Sequence, residues 1–310
     1  MSDEQKNISE EEYLRKHLES LEGKSKESVQ PKIKVEVDSS TIENLQYFSF
    51  DVKEFPCGVF YPVGSTIQIR SAEVKEIQSY SMVDDSNYYD IVEKMNEMLS
   101  SCVRIKYPDG SMGSYMDIRD PDRFYLIFTI RELTFQQGNS LVTKSTCSCG
   151  QEYQIELKRE NFKNFSMPDT LRKFYDPANR CFTFETVNGH IYHLAPPTIG
   201  LQKAFTDYII KENAEKRKPN LSFLKIIPFV LHDRTTITQD GIKAKLMEFQ
   251  NMNITSFQFL NAAVGKLSFG IEKVCKQCSC GLEVHSDMIF PDGPSAVFID
   301  DDAFEKYIKE

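Results

Sequence analysis

Cys147-Ser148-Cys149-Gly150 and Cys278-Ser279-Cys280-Gly281 are the same tetrapeptide, set about 130 residues apart. Each precedes an alternating run, Gln151 to Leu157 after the first and Leu282 to Phe290 after the second. Alternation of apolar and polar residues marks a half-buried strand. The chain therefore repeats a small unit, a cysteine-bearing turn that leads into a strand. A turn closed by glycine can point backbone N–H groups at a thiolate, and the strand behind it fixes the turn. Two such knuckles facing each other make a tetrahedral four-thiolate site, which is the logic of a zinc ribbon with a long insertion between its halves. Cys275-Lys276-Gln277-Cys278 adds a C-x-x-C pair, so five sulfurs compete for four positions: Cys147, Cys149, Cys275, Cys278 and Cys280. Spacing leaves open which one is spare. The expectation is one structural zinc ion, closed by thiolate on every side and without a place for activated water. The competing reading is a coincidental pair of cysteine-rich turns, or a reversible disulfide at Cys275 and Cys278.

The rest of the composition fits a metal rather than disulfides. The 310 residues allow one large domain or two ordinary ones. With 40% hydrophobic residues, 22 Phe and 14 Tyr, the chain can build a real core. No run approaches the roughly 18 apolar residues of a membrane span, and the polar start resembles no signal peptide. Residence in a reducing cytosol follows as the expectation, and there clustered cysteines more often hold metal than pair. Lone Cys57, Cys102 and Cys181 read as small buried apolar residues. Lys and Arg number 37 against 46 Asp and Glu, a net charge of −9, which disfavours nucleic acid as a partner.

Outside the cysteines, chemistry is sparse. His190 and His193 lie on opposite faces of a strand by parity and cannot easily share a ligand. His285 is a stray candidate for the metal. Asp84-Asp85 and Asp300-Asp301-Asp302 suit helix N-termini. Lys211, Lys216, Arg217 and Lys218 suit the C-terminal end of a helix. Gly-rich phosphate loops, G-x-S-x-G and H-E-x-x-H are all missing from the sequence, and no enzyme is expected.

The expected fold class is α+β: an N-terminal α/β lobe, a mostly helical second lobe, and split zinc-ribbon-like knuckles with short strands. Residues 1–40 form a polar arm with one short helix, capped at Ser9 and ended at Gly23. Residues 41–160 form the N-terminal lobe, with strands at 47–52, 66–70 and 103–107 and helices at 72–83 and 87–102. A further helix starts at Asp120-Pro121-Asp122 and is apolar on most sides, so it should be the core helix. Residues 161–270 carry a hairpin around Asn188-Gly189 and helices at about 199–217, 221–232, 239–250 and 254–268. The last part, 271–310, holds the second knuckle, a strand and a short acidic helix.

Phe55-Pro56-Cys57-Gly58-Val59-Phe60-Tyr61-Pro62, with Gly64-Ser65, then Ile67-x-Ile69-Arg70 and Lys75-Glu76, resembles the opening of the baseplate hub proteins of T-even-like contractile-tailed phages. Asp122-Arg123-Phe124-Tyr125-Leu126 and Ile130-Arg131-Glu132-Leu133, followed by a Cys-x-Cys-Gly knuckle, also look like that family. The likeness covers 50–160 well and 165–298 more loosely, and the C-x-C spacing departs from its C-x-x-C. The resemblance implies a structural or assembly role in the tail baseplate hub, with other hub proteins as partners and no chemical catalysis. It places the chain in the host cytoplasm during assembly, and in the virion tail if it stays with the particle. The alternative is a phage accessory factor that binds nucleic acid through a zinc ribbon. Basic residues near the knuckles, Lys144, Lys158, Arg159, Lys273 and Lys276, are offset there by Glu152, Glu156, Glu272 and Glu283.

Overall fold

The first strand, β1 (Phe48–Asp51), leads at once into a segment of 3₁₀ turns, Val52–Glu54 and Gly58–Phe60, that carries much of the core. The computed structural model describes residues 46–84, 86–135, 141–157, 167, 169–186, 189–267, 275–285 and 297–298. The helices expected at 9–23 and 301–309, and the strand beyond residue 285, lie outside these residues.

Four short antiparallel strands follow one another in a meander: β1, β2 (Thr66–Ile69), β3 (Val103–Lys106) and β4 (Met112–Ser114). Register pairs Ile67 with Ile105 and Ile69 with Val103. All four are buried, while Arg104 and Lys106 point to solvent, so one face covers the core and the other is wet. Strand β4 follows the Pro108-Asp109-Gly110 turn and has no apolar alternation to announce it. Helices α1 (Val74–Ser81) and α2 (Tyr88–Cys102) fill the β2–β3 connection. Asn87 caps α2 by accepting from the Tyr89 N–H.

The core helix is α3 (Arg123–Thr134), buried from Tyr125 through Arg131. Residues Asp120–Asp122 form a separate 3₁₀ turn with Pro121, so the α-helix begins at Arg123. The reason is chemical, because the Asp122 carboxylate is engaged elsewhere and caps nothing.

The second half contains a one-turn α4 (Asp169–Arg172) and the sheet β7 (Tyr175–Asp176), β8 (Cys181–Glu185) and β9 (Ile191–Leu194). The β8–β9 hairpin is antiparallel, and Gly189 in its turn has φ +74°. Helices α5 (Ile199–Ala214), α6 (Leu221–Val230), α7 (Gln239–Gln250) and α8 (Ile254–Lys266) follow. Their N-caps are Thr198, Asn220, Thr238 and Asn253, each accepting a backbone N–H at N3, which explains why the helices start where they do.

One hydrophobic core runs from Val52 to Phe298 and takes side chains from both sides of residue 160. Phe60 and Tyr175 each meet Phe182 edge to face, and Phe184 meets Phe259 of α8. The polar seam across this core is held by Arg119. Its guanidinium donates to the carbonyls of Pro196 (2.7 Å), His232 (2.8 Å) and Phe60 (3.3 Å). Backbone bonds beside it, Asp120 N–H to Pro197 and Ile199 N–H to Ile118, complete the join. The architecture is α+β.

Candidate metal centre

Each knuckle sits at the tip of an antiparallel hairpin. The first joins β5 (Leu141–Thr146) to β6 (Glu152–Leu157), and the second joins β10 (Cys275–Gln277) to β11 (Glu283–His285). Their main-chain bonds match. Cys147 N–H reaches Gln151 O at 2.9 Å, and Cys278 N–H reaches Leu282 O at 2.8 Å. Gly150 N–H reaches Cys147 O at 2.8 Å, and Gly281 N–H reaches Cys278 O at 2.9 Å. The two glycines have φ of +87° and +88°, the left-handed conformation that closes such a turn. The repeated tetrapeptide is thus a repeated turn.

The fold brings the two tips together. The Sγ atoms of Cys147, Cys149, Cys278 and Cys280 all lie within 4.8 Å of one another, close enough to hold a metal ion. Cys147 is 3.6 Å from Cys280, and Cys149 is 3.6 Å from Cys278. A disulfide would need about 2.05 Å. A tetrahedral ion with bonds of about 2.3 Å to sulfur sets neighbouring sulfurs about 3.8 Å apart, so the donors present fit one ion. Cys147 and Cys278 are buried, while Cys149 and Cys280 are exposed.

The fifth cysteine, Cys275, stands outside this group. It is exposed and begins β10, paired in register with His285 rather than placed in the turn. Thus the C-x-x-C pair is a strand followed by a knuckle. The His285 side chain lies outside the described residues.

Packing around the centre is slight. Cys147, Cys278 and Val284 form a small cluster of their own, with Tyr153 against it. Polar contacts do more. Tyr153 donates its hydroxyl to Cys278 Sγ at 3.1 Å and accepts from Ser279 N–H at 3.2 Å. Ser279 Oγ donates to Gln151 Oε1 at 2.8 Å, and Cys280 N–H points at Cys278 Sγ at 3.5 Å. The Cys280 amide and the Tyr153 hydroxyl favour the Cys278 thiolate and bring its pKa down to about 6. Cys280 is pushed up to about 12: its contact with the Leu282 amide works the other way, but proton sharing with Cys278, Cys147 and Cys149 prevails.

Elsewhere, Cys57, Cys102 and Cys181 are buried core residues. His193 Nδ1 lies 3.0 Å from Thr183 Oγ1, and His190 is exposed at the hairpin turn. Arg217 is held by Glu212 at 2.6 Å and also pairs with Glu215. Asp84 accepts from the Ser86 N–H and hydroxyl, a local turn.

One buried polar cluster was not foreseen from the sequence. Fully buried Asp122 accepts from Tyr61 Oη at 2.6 Å and from Cys57 N–H at 2.9 Å. Tyr61 Oη in turn accepts from Arg119 N–H at 2.8 Å. Burial pushes the Asp122 carboxyl up to about 7. A second pair, Arg70 with Glu76, is bidentate and buried. Burial works to raise the Glu76 pKa, but the Arg70 guanidinium and the Glu73 amide outweigh it and lower it.

No family model, no curated protein and no solved structure matches this chain. Among the described residues no helix is long and apolar enough to cross a membrane.

Proposed function

We propose that the chain is a non-enzymatic assembly or structural protein of a phage tail baseplate hub, and that its two knuckles are joined by one structural zinc ion. The observation that carries the metal part is the four-sulfur cluster, drawn from residues 133 apart at its ends. Four thiolates satisfy a tetrahedral ion, and the soft donor set with this geometry suits zinc. A closed site holds polypeptide together and offers no position to substrate. The small apolar cluster beneath it makes such a staple worthwhile, because little apolar burial joins the two tips to each other.

The hub part rests on the resemblance, and a feature of the packing supports it. The motif pieces that carry the likeness are distant in sequence and meet in space. Cys57 and Tyr61 of the first piece both bond Asp122 of the later one, and Phe55 meets Tyr125 edge to face at 5.2 Å. Gly58 has a local reason too, since a Cβ there would lie 2.6 Å from Val52 O. Such residues define a fold, and a shared set of them is what a family likeness would preserve. Partners on this reading are other hub proteins, met in the host cytoplasm during assembly.

Elemental analysis of the purified chain, with co-expression of candidate tail hub proteins, tests both parts. About one zinc per chain and retention of a hub protein on the tagged chain are expected. A metal-free chain with unchanged stability in chelator would remove the zinc centre. Failure to retain any hub protein from a complete tail-gene set would remove the assembly role.

A further inference from the structure

We propose that Tyr153 and Gln151 form a clasp that holds the second knuckle in its metal-binding shape, and that Tyr153 sets how strongly Cys278 holds its ion. The inference rests on the metal reading above and goes to how that site is tuned.

The argument starts from an asymmetry. The two knuckles are identical in sequence and in main-chain bonding, but the residues after them differ. Gln151-Glu152-Tyr153 follows the first, and Leu282-Glu283-Val284 follows the second. Only the first hairpin therefore carries polar side chains at the two positions that face the opposite tip. Gln151 takes the Ser279 hydroxyl, and Tyr153 takes the Ser279 N–H while donating to Cys278 Sγ. Leu282 and Val284 cannot return the favour. Among the described residues no side chain of the second hairpin bonds Ser148. Thus one knuckle is gripped by its partner hairpin and the other is not.

Two consequences follow. Three hydrogen bonds between hairpins far apart in sequence hold Cys278 in place before any ion arrives, so the ion meets an arranged donor. In addition, Cys278 receives both the Tyr153 O–H and the Cys280 N–H. Donors to a coordinated thiolate withdraw charge from it and fix its orientation. The Tyr153 ring is itself fixed, packed on the Cys147–Cys278–Val284 cluster with Lys276 Nζ 5.5 Å from its centroid. A phenylalanine would keep that packing and lose only the hydroxyl.

The test uses the full chain and Co²⁺ as a coloured probe, with Zn²⁺ affinity read by chelator competition. Wild type is expected to take one ion and give a tetrahedral four-thiolate spectrum. Tyr153→Phe should still take one ion but with affinity lower by about 10- to 100-fold. Its sulfur-to-cobalt charge-transfer band should move to lower energy, because an unshielded thiolate gives up electrons more readily. Ser279→Ala, which removes the Gln151 bond and a hydroxyl 4.0 Å from Cys278 Sγ but keeps the Tyr153 O–H and Cys280 N–H on that sulfur, should weaken binding less and move the band less than Tyr153→Phe does. Equal affinity and an identical band in Tyr153→Phe would overturn the clasp while the metal reading stands. Wild type that takes up neither ion would overturn both.

Discussion

Asp122 shows how much a single buried side chain can decide. Its carboxyl has two donors and no exposure, and burial raises its pKa from 3.8 to about 7. The folded chain then binds this proton more tightly than the unfolded chain. The stability it contributes is full below 3.8 and falls as pH rises through 7. A rise of about three units corresponds to about 4 kcal/mol at most. Unfolding in urea at pH 5.5 and at pH 8 should show it as a difference between proteins. Wild type should lose more stability over that interval than Asp122→Asn, whose side chain stays neutral and still accepts from Cys57. Parallel losses would mean the acid is ionised throughout. Tyr61→Phe should cost about 1–3 kcal/mol by denaturation, since it strips Asp122 Oδ2 and the Arg119 N–H of a shared partner. The sequence shows Tyr61 and Asp122 as members of separate motifs. Nothing in local spacing says that they touch, because the contact is made by packing across 61 residues.

At the level of the element, the knuckles were the most legible part. The repeated tetrapeptide, the closing glycine and the alternating strand after it are all local signals, and each describes what the hairpins do. The strands before the turns carry no comparable local signal. Leu141–Thr146 and Cys275–Gln277 become strands by pairing with β6 and β11, with little pattern of their own. For the same reason Cys275 looked equal to the other four. C-x-x-C spacing does not tell whether the turn lies between the cysteines or after them, and here it lies after Cys278. Other elements followed periodicity and caps closely, as α7 does at Gln239–Gln250. The glycines test the matched turns. Around Gly150 and Gly281 an added Cβ meets nothing within 4 Å, so the cost of alanine is backbone conformation alone. Gly150→Ala and Gly281→Ala should each destabilise their hairpin by about 1–2 kcal/mol and weaken metal binding to a similar degree. Chelator competition measures this, and a large inequality would mean that the two turns are not equivalent in solution.

On the scale of the molecule, two centres of cohesion are distinct. The main core joins the meander, α3, the β7–β9 sheet and the later helices, with Arg119 bonded to carbonyls at 60, 196 and 232. The knuckles have their own small cluster, the polar contacts of Gln151 and Tyr153 with Ser279 and Cys278, and, among the described residues, a single anchor in the main core, Ile155 of β6. Removing the ion should therefore release the hairpins before it unfolds the body. Local unfolding follows where buried apolar contact is scarce, and a ligand bound only by the folded site stabilises that site by mass action. Chelator should make the chain cleavable near 148 and 279 by limited proteolysis while far-UV circular dichroism keeps most of its helical signal. Cys278→Ser should do the same without chelator. Arg119→Lys should behave in the opposite way. A compact ammonium cannot reach three carbonyls held by a planar fork, so the main transition should fall by about 2–4 kcal/mol while the metal remains bound. Loss of the whole helical signal on chelation would show that the ion holds the body together as well as the hairpins. In that case the α3–Arg119 seam alone would be too weak to keep the two halves folded.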